Sequence, residues 1–159
     1  MAELEYAYVS GTYPARVVGS SPTRGTNMDI FREIKNLDFP VTHYIVVGSG
    51  IMVALGLKGA NDIDIVVTPD LFQKCTLEGW EQWIKPNGGP ALRKDHVELY
   101  LDVNAGNYNP TTQELINEAK IINGIPFLTL EKLLLFKKQY KREKDFKDIA
   151  LIETYLKNN

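Results

Sequence analysis

The chain has 159 residues, 44% apolar and 24% charged, a balance that supports one buried core and leaves no room for two full domains. Its longest apolar runs, such as Tyr44 to Val47 and Leu133 to Phe136, fall far short of the ~20 residues that cross a bilayer, and no basic start precedes an apolar stretch as in a secretion signal, so a cytoplasmic protein with no membrane partner is expected. A single cysteine, Cys75, excludes an internal disulfide and a thiolate zinc site, and its helix-like surroundings suit a small buried residue.

The formal charge of −2 conceals an asymmetry. Residues 29–128 carry 8 basic and 13 acidic side chains, whereas residues 129–159 carry 8 and 5. An acidic body thus meets a basic end, which is either a solvated helix face or a surface that counters phosphate charge.

Residues 1–27 show neither helical nor strand periodicity and precede a second methionine, Met28. They are expected to be a disordered arm, or upstream sequence read into the frame, since ARVVGSSPTRG from Ala15 resembles the T-arm of a transfer-RNA gene read as protein. Residues 28–159 form the expected domain, with 129–159 as its helical C-terminal part.

Ile30, Ile34 and Leu37 share a helical face that Asp38-Phe39-Pro40 ends. A strand over His43 to Val47 runs into Gly48-Ser49-Gly50, followed by a short buried helix, Ile51 to Leu57. Asn61 to Val67 reads as a second strand with a polar start. Thr68-Pro69-Asp70 supplies an N-cap, a first-turn proline and an early acid for a helix through about Trp83, with Trp80 and Trp83 three apart on its buried face. Pro86 to Pro90 is a loop, and VELYLDV at 97–103 alternates as a third strand. Thr111 and Glu114 form a capping box for a helix to about Lys120, Ile121 to Leu128 forms two short strands about Asn123-Gly124, and Thr129 caps a helix. A last helix covers about Lys144 to Leu156. The fold class expected is α/β (α+β): a small mixed β-sheet with helices on its faces.

A strand, a Gly-Ser-Gly turn and a short helix make a phosphate-binding arrangement, although glycine at such a junction also serves packing. Asp62 and Asp64 are two apart on a strand and project from one face, and their repulsion is relieved by solvent, by a proton or by cations. An all-oxygen pair suits magnesium or manganese. Asp102, alternating with Leu101 and Val103, brings a third acid beside them, and three such acids require a metal. Glu98 shares the strand face of Asp102 and ranks as a fourth acid; His96 is read as a surface or hydrogen-bonded residue.

Val47-Gly48-Ser49, twelve intervening residues, Asp62-Ile63-Asp64-Ile65 and a lone later acid resemble the signature of the polymerase-beta-like nucleotidyltransferase superfamily. The LEKLL stretch from Leu130, with Lys137, Arg142, Lys144-Asp145 and Asp148, is similar to the C-terminal helices of its minimal bacterial members, among them abortive-infection toxin and lincosamide-resistance relatives. The resemblance implies a nucleotidyltransferase fold and a two-metal transfer of a nucleoside monophosphate from a nucleoside triphosphate, such as ATP, to a hydroxyl acceptor, with release of pyrophosphate. It implies Asp62, Asp64 and Asp102 as metal ligands and catalytic residues. Gly48 and Ser49 would face the β and γ phosphates, and Lys137, Arg142 and Lys144 would counter phosphate charge. The acceptor stays open between a protein hydroxyl, a tRNA end and an antibiotic. Two rivals remain: an inactive nucleotidyltransferase-like antitoxin or other member of a toxin-antitoxin pair, and a dinucleotide-binding module suggested by Gly48-Ser49-Gly50 with Ala54. The acids argue against the latter because they precede the apolar end of their strand.

Overall fold

The structure, a computed structural model, describes residues 28–59, 61–104 and 106–159. The N-terminal arm expected over 1–27 lies outside them. Helix α1 (Ile30–Lys35) is capped by Asp29, whose side chain accepts from the Arg32 amide at 3.2 Å, and buries Ile30 and Ile34. Strand β1 (Tyr44–Val47) is buried throughout and leads through Gly48-Ser49 into the one-turn helix α2 (Gly50–Ala54). After β2 (Ile63–Val67) come α3 (Pro69–Leu77), β3 (Glu81–Ile84), β4 (Pro90–Lys94) and β5 (Val97–Tyr100). Next follow α4 (Thr112–Asn117), β6 (Lys120–Ile122), β7 (Ile125–Phe127), α5 (Leu130–Tyr140), a 3-10 turn over Glu143–Asp145, and α6 (Phe146–Asn158).

The seven strands form one mixed sheet in the order β3-β4-β5-β2-β1-β7-β6. β2 pairs parallel with β5 and antiparallel with β1, so it is covered on both edges and its residues Ile63, Ile65, Val66 and Val67 are all buried. Asp64 is the single polar residue of that central strand. Phe127, Leu92, Leu99 and Ile51 complete the core around it. The α/β mixture of sheet and flanking helices is as expected from the sequence. Among the described residues no helix is long and apolar enough to cross a membrane.

Several boundaries differ from expectation, those around the hairpin and the acids most. The helix begun at Thr68 stops at Leu77, because Gly79 takes φ +95° and turns the chain. Trp80 then buries beyond the helix, while Trp83 lies half-buried on edge strand β3, and of the loop expected over Pro86 to Pro90 the first four residues connect β3 to β4 while Pro90 opens β4 opposite Ile84. The strand expected over 97–103 ends at Tyr100, whose partner on β4 is Ala91; the next position there is Pro90, which has no N–H to donate. The Leu101 carbonyl instead accepts from Thr112 Oγ1 at 3.0 Å, and Leu101 and Val103 are only partly buried. β2 starts at Ile63, leaving Asp62 exposed before it. The capping box of Thr111 and Glu114 is present, and Thr129 caps α5.

Candidate active site

The turn after β1 and the start of β2 meet because the two strands pair antiparallel, with Val47 opposite Asp64. Gly48 sits at φ +62°, and a β-carbon there would stand 2.9 Å from Asp64 Oδ2. Glycine is favoured there by its backbone angle, and any side chain would also have to displace the Asp64 carboxylate. Gly50 serves packing, since a β-carbon there would lie 2.4 Å from Val46 Cγ1. The two glycines of one tripeptide thus divide between site and core.

A cavity of about 390 Å³ opens beside this turn and is lined by Gly48, Ser49, Asp64, Tyr100, Asp102 and residues of the C-terminal helices. Burial pushes the Asp64 carboxyl well above the usual carboxylate range, and the negative charges of Glu98 and Asp62 push the same way, against smaller opposing effects of Tyr100 and Lys144. Glu98 stands opposite Asp64 in the β2–β5 register. The Tyr100 hydroxyl donates to Glu98 Oε1 at 2.5 Å and approaches Asp64 Oδ1 at 3.5 Å, while Arg93 Nε donates to Glu98 Oε2 at 3.0 Å. Burial, followed by the Asp64 and Glu98 charges, pushes the Tyr100 phenol well up, so it remains a donor.

The acid facing Asp64 across the strands is therefore Glu98, the fourth acid of the sequence reading. Asp102 lies two residues past the end of β5, and since Val66 pairs with Tyr100, it falls further along the sheet than Asp64. Its Oδ1 accepts from Lys85 Nζ at 3.2 Å. Asp64 and Asp102 border one cavity, whereas Asp62 stands outside its lining and reaches Asp64 through charge. Among the described residues no three His, Cys, Asp or Glu side chains group closely enough to hold a metal ion. Magnesium, however, is commonly held by one or two carboxylates with the substrate's phosphates. The crowded Asp64 carboxylate with Asp62 fits that mode by its oxygen donors and its acidic neighbours; among the described residues Asp62, Asp64 and Asp102 do not form an all-protein cage.

The opposite wall is basic and internally paired. Lys137, at the buried end of α5, donates to Asp145 Oδ1 at 3.1 Å and lies 3.0 Å from Asp148 Oδ2. Arg142 Nε meets Asp145 Oδ2 at 2.6 Å and lays its guanidinium 4.5 Å from the Tyr140 ring centre. Lys58, from the segment between α2 and β2, closes on Asp148 at 3.0 Å. Burial would push the Asp148 carboxyl up, but Lys137 and Lys58 hold it below the usual range. Lys144 lines the same cavity and its charge reaches Asp64.

Gly48, Ser49, Asp64, Asp102, Lys137, Arg142 and Lys144 thus share one cavity, as the sequence suggested. Sequence reasoning passed over Lys58, Lys85 and Tyr100. Lys85 carried a local signal, since it directly precedes the turn-forming Pro-Asn-Gly-Gly-Pro. His96 is apart, with Nε2 2.8 Å from Glu33 Oε1. Cys75 is buried, its thiol pushed up to about 11 by that burial, and is a core residue. No protein-family model, no curated protein and no solved structure matches the chain.

Proposed function

We propose that this chain is a metal-dependent nucleotidyltransferase that moves a nucleoside monophosphate from a nucleoside triphosphate to a hydroxyl acceptor. The observation that carries the reading is Asp64. A carboxylate crowded by Glu98 and Asp62 is pressed against a positive-φ glycine in a strand–Gly-Ser–helix turn, and lysine and arginine side chains line the same cavity. Repelling carboxylates facing a basic wall suit a cation and a polyphosphate together.

Asp64 and Asp62 would hold magnesium or manganese, which when bound supplies charge neutralisation of the triphosphate and a more acidic acceptor hydroxyl. Lys144 would counter part of the remaining phosphate charge, Lys137 and Arg142, already held by Asp145, would shape the wall beside it, and Gly48 with Ser49 would face the phosphates across the turn. The acceptor oxygen bonds to the α-phosphorus as the bond to the bridging oxygen of pyrophosphate breaks. The acceptor proton passes to the carboxylate of Asp102. Catalysis of this kind rests on positioning and on charge stabilisation.

The pairing of Asp102 with Lys85 and of Lys137 with Asp145 and Asp148 favours a second reading, a nucleotide-binding module without turnover that acts as an antitoxin or binding partner. One experiment separates the two. The purified protein is incubated with each nucleoside triphosphate labelled at the α-phosphate, magnesium and cell lysate, and label is sought in protein, RNA and small molecules. Transfer abolished by Asp64→Asn supports the enzyme; label in none of the three fractions supports the binding module.

A further inference from the structure

The Lys85–Asp102 ion pair is lopsided. Only 8% of the Lys85 side chain is exposed, against 51% for Asp102. Lys85 is also fixed at its backbone, where its amide donates to the Gly89 carbonyl at 2.8 Å and its carbonyl accepts from the Gly88 amide at 2.8 Å. Its stem runs against Gly89, where a β-carbon would stand 3.0 Å from Lys85 Cε. The ammonium lies 5.4 Å from the centre of the Tyr100 ring, whose hydroxyl reaches Glu98 and Asp64. Asp102 lies past the end of β5, outside the strand ladder, in a segment tied by its neighbours, the Leu101 carbonyl accepting from Thr112 Oγ1 at 3.0 Å and the Asn104 carbonyl from the Tyr140 hydroxyl at 3.5 Å. The ammonium is enclosed, whereas the carboxylate is half-exposed on that segment.

A buried ammonium left without its counterion is costly, so Asp102 departs only when another anion replaces it. Both residues line the cavity proposed for the triphosphate, and the anion that chemistry brings there is phosphate. We propose that Lys85 is a phosphate-binding residue and that a ligand's phosphate displaces Asp102 from it. The displaced carboxylate then becomes available to the reacting hydroxyl, so proton removal waits on occupancy of the site. This inference rests on the nucleotidyltransferase reading and adds to it a residue and an order of events.

The test measures binding to the full chain by calorimetry, with inorganic tripolyphosphate, ATP with magnesium, and a short oligoribonucleotide lacking a triphosphate. Lys85→Gln weakens binding of at least one probe about tenfold or more, the order expected for losing a charge-assisted hydrogen bond, and Lys85→Arg largely restores it. Asp102→Asn acts in the opposite direction and tightens the same probe, because the competing carboxylate is gone. The comparison is repeated at high salt, where charge acting at a distance is screened and a merely structural ion pair gives no such opposition of sign. Sensitivity of tripolyphosphate or ATP assigns the phosphate to the nucleotide; sensitivity of the oligoribonucleotide alone assigns it to the acceptor. If Asp102→Asn is too unstable for calorimetry, tripolyphosphate must raise its melting temperature more than that of the wild type. No probe binding the wild type, no loss in Lys85→Gln, or no gain in Asp102→Asn overturns the proposal. Magnesium-dependent ATP binding that Asp64→Asn abolishes and Lys85→Gln leaves unchanged removes this inference alone. Lys85-dependent tripolyphosphate binding without any magnesium-dependent ATP binding removes the enzyme reading instead.

Discussion

Asp148 and Asp64 border the same cavity, yet their surroundings move their carboxyls in opposite directions. Asp148 lies between Lys137 and Lys58, which hold it ionised despite its burial. Asp64 has Glu98 and Asp62 for neighbours, and burial and repulsion both favour its protonated form. The first carboxyl is matched by lysines of the chain, whereas the second is crowded by other acids. Under the proposed function, the first kind of wall would build the site and the second would receive the cation that a polyphosphate carries.

The largest expected effect is on the completed wall. Asp145→Ala leaves Lys137 buried without one carboxylate and removes the Arg142 bidentate contact, and should destabilise the protein by about 3–5 kcal/mol in a denaturant titration. A loss under 1 kcal/mol would show the network to be dispensable.

Gly48→Ala forces a side chain into the left-handed region and against Asp64 Oδ2, costing about 1–2 kcal/mol from the backbone alone. Nucleotide binding should fall with it. A variant with wild-type stability and binding would show that the turn is not built around Asp64.

Asp64→Asn should do the reverse and stabilise the metal-free protein at neutral pH. The folded carboxyl titrates above the unfolded one, so its ionisation penalises folding as pH rises from the ordinary carboxylate range, and the advantage of the amide disappears when pH falls below that range. Asp148 has the opposite sign. Its stabilisation is full above the ordinary carboxylate range and is lost as pH falls through its lowered folded value. Melting temperatures of wild type, Asp64→Asn and Asp148→Asn across pH check both directions, and parallel profiles for the three proteins would contradict the contrast.

The site was legible in the sequence where chemistry depends on near neighbours. Val47-Gly48-Ser49 and Asp62-Ile63-Asp64 are each three consecutive residues at one end of a strand, so their placement beside one another needed only the pairing of β1 with β2. Which acid joins Asp64 depended on register instead. Glu98 and Asp102 share a strand parity, and only the pairing of Asp64 with Glu98, with the end of pairing at Pro90, separates them. The β3–β4 hairpin was misread for a related reason: Trp80 and Trp83 repeat at helical spacing, but Gly79 breaks the helix before either, and the edge strand beyond it has little alternation of burial to show. Lys85 went unnoticed with that hairpin. The basic end was visible as charge, whereas its neutralisation by buried Asp145 and Asp148 is a property of packing.

The central claim is that Asp64 awaits a divalent cation carrying a nucleotide. Its most direct test is the melting temperature of wild type and Asp64→Asn with magnesium and a non-hydrolysable nucleoside triphosphate, together and separately. Magnesium and nucleotide together should stabilise the wild type, by about 2.7 kcal/mol at a hundredfold excess over the dissociation constant, and should leave Asp64→Asn unchanged. Equal stabilisation of the two proteins, or none in the wild type, would contradict the account.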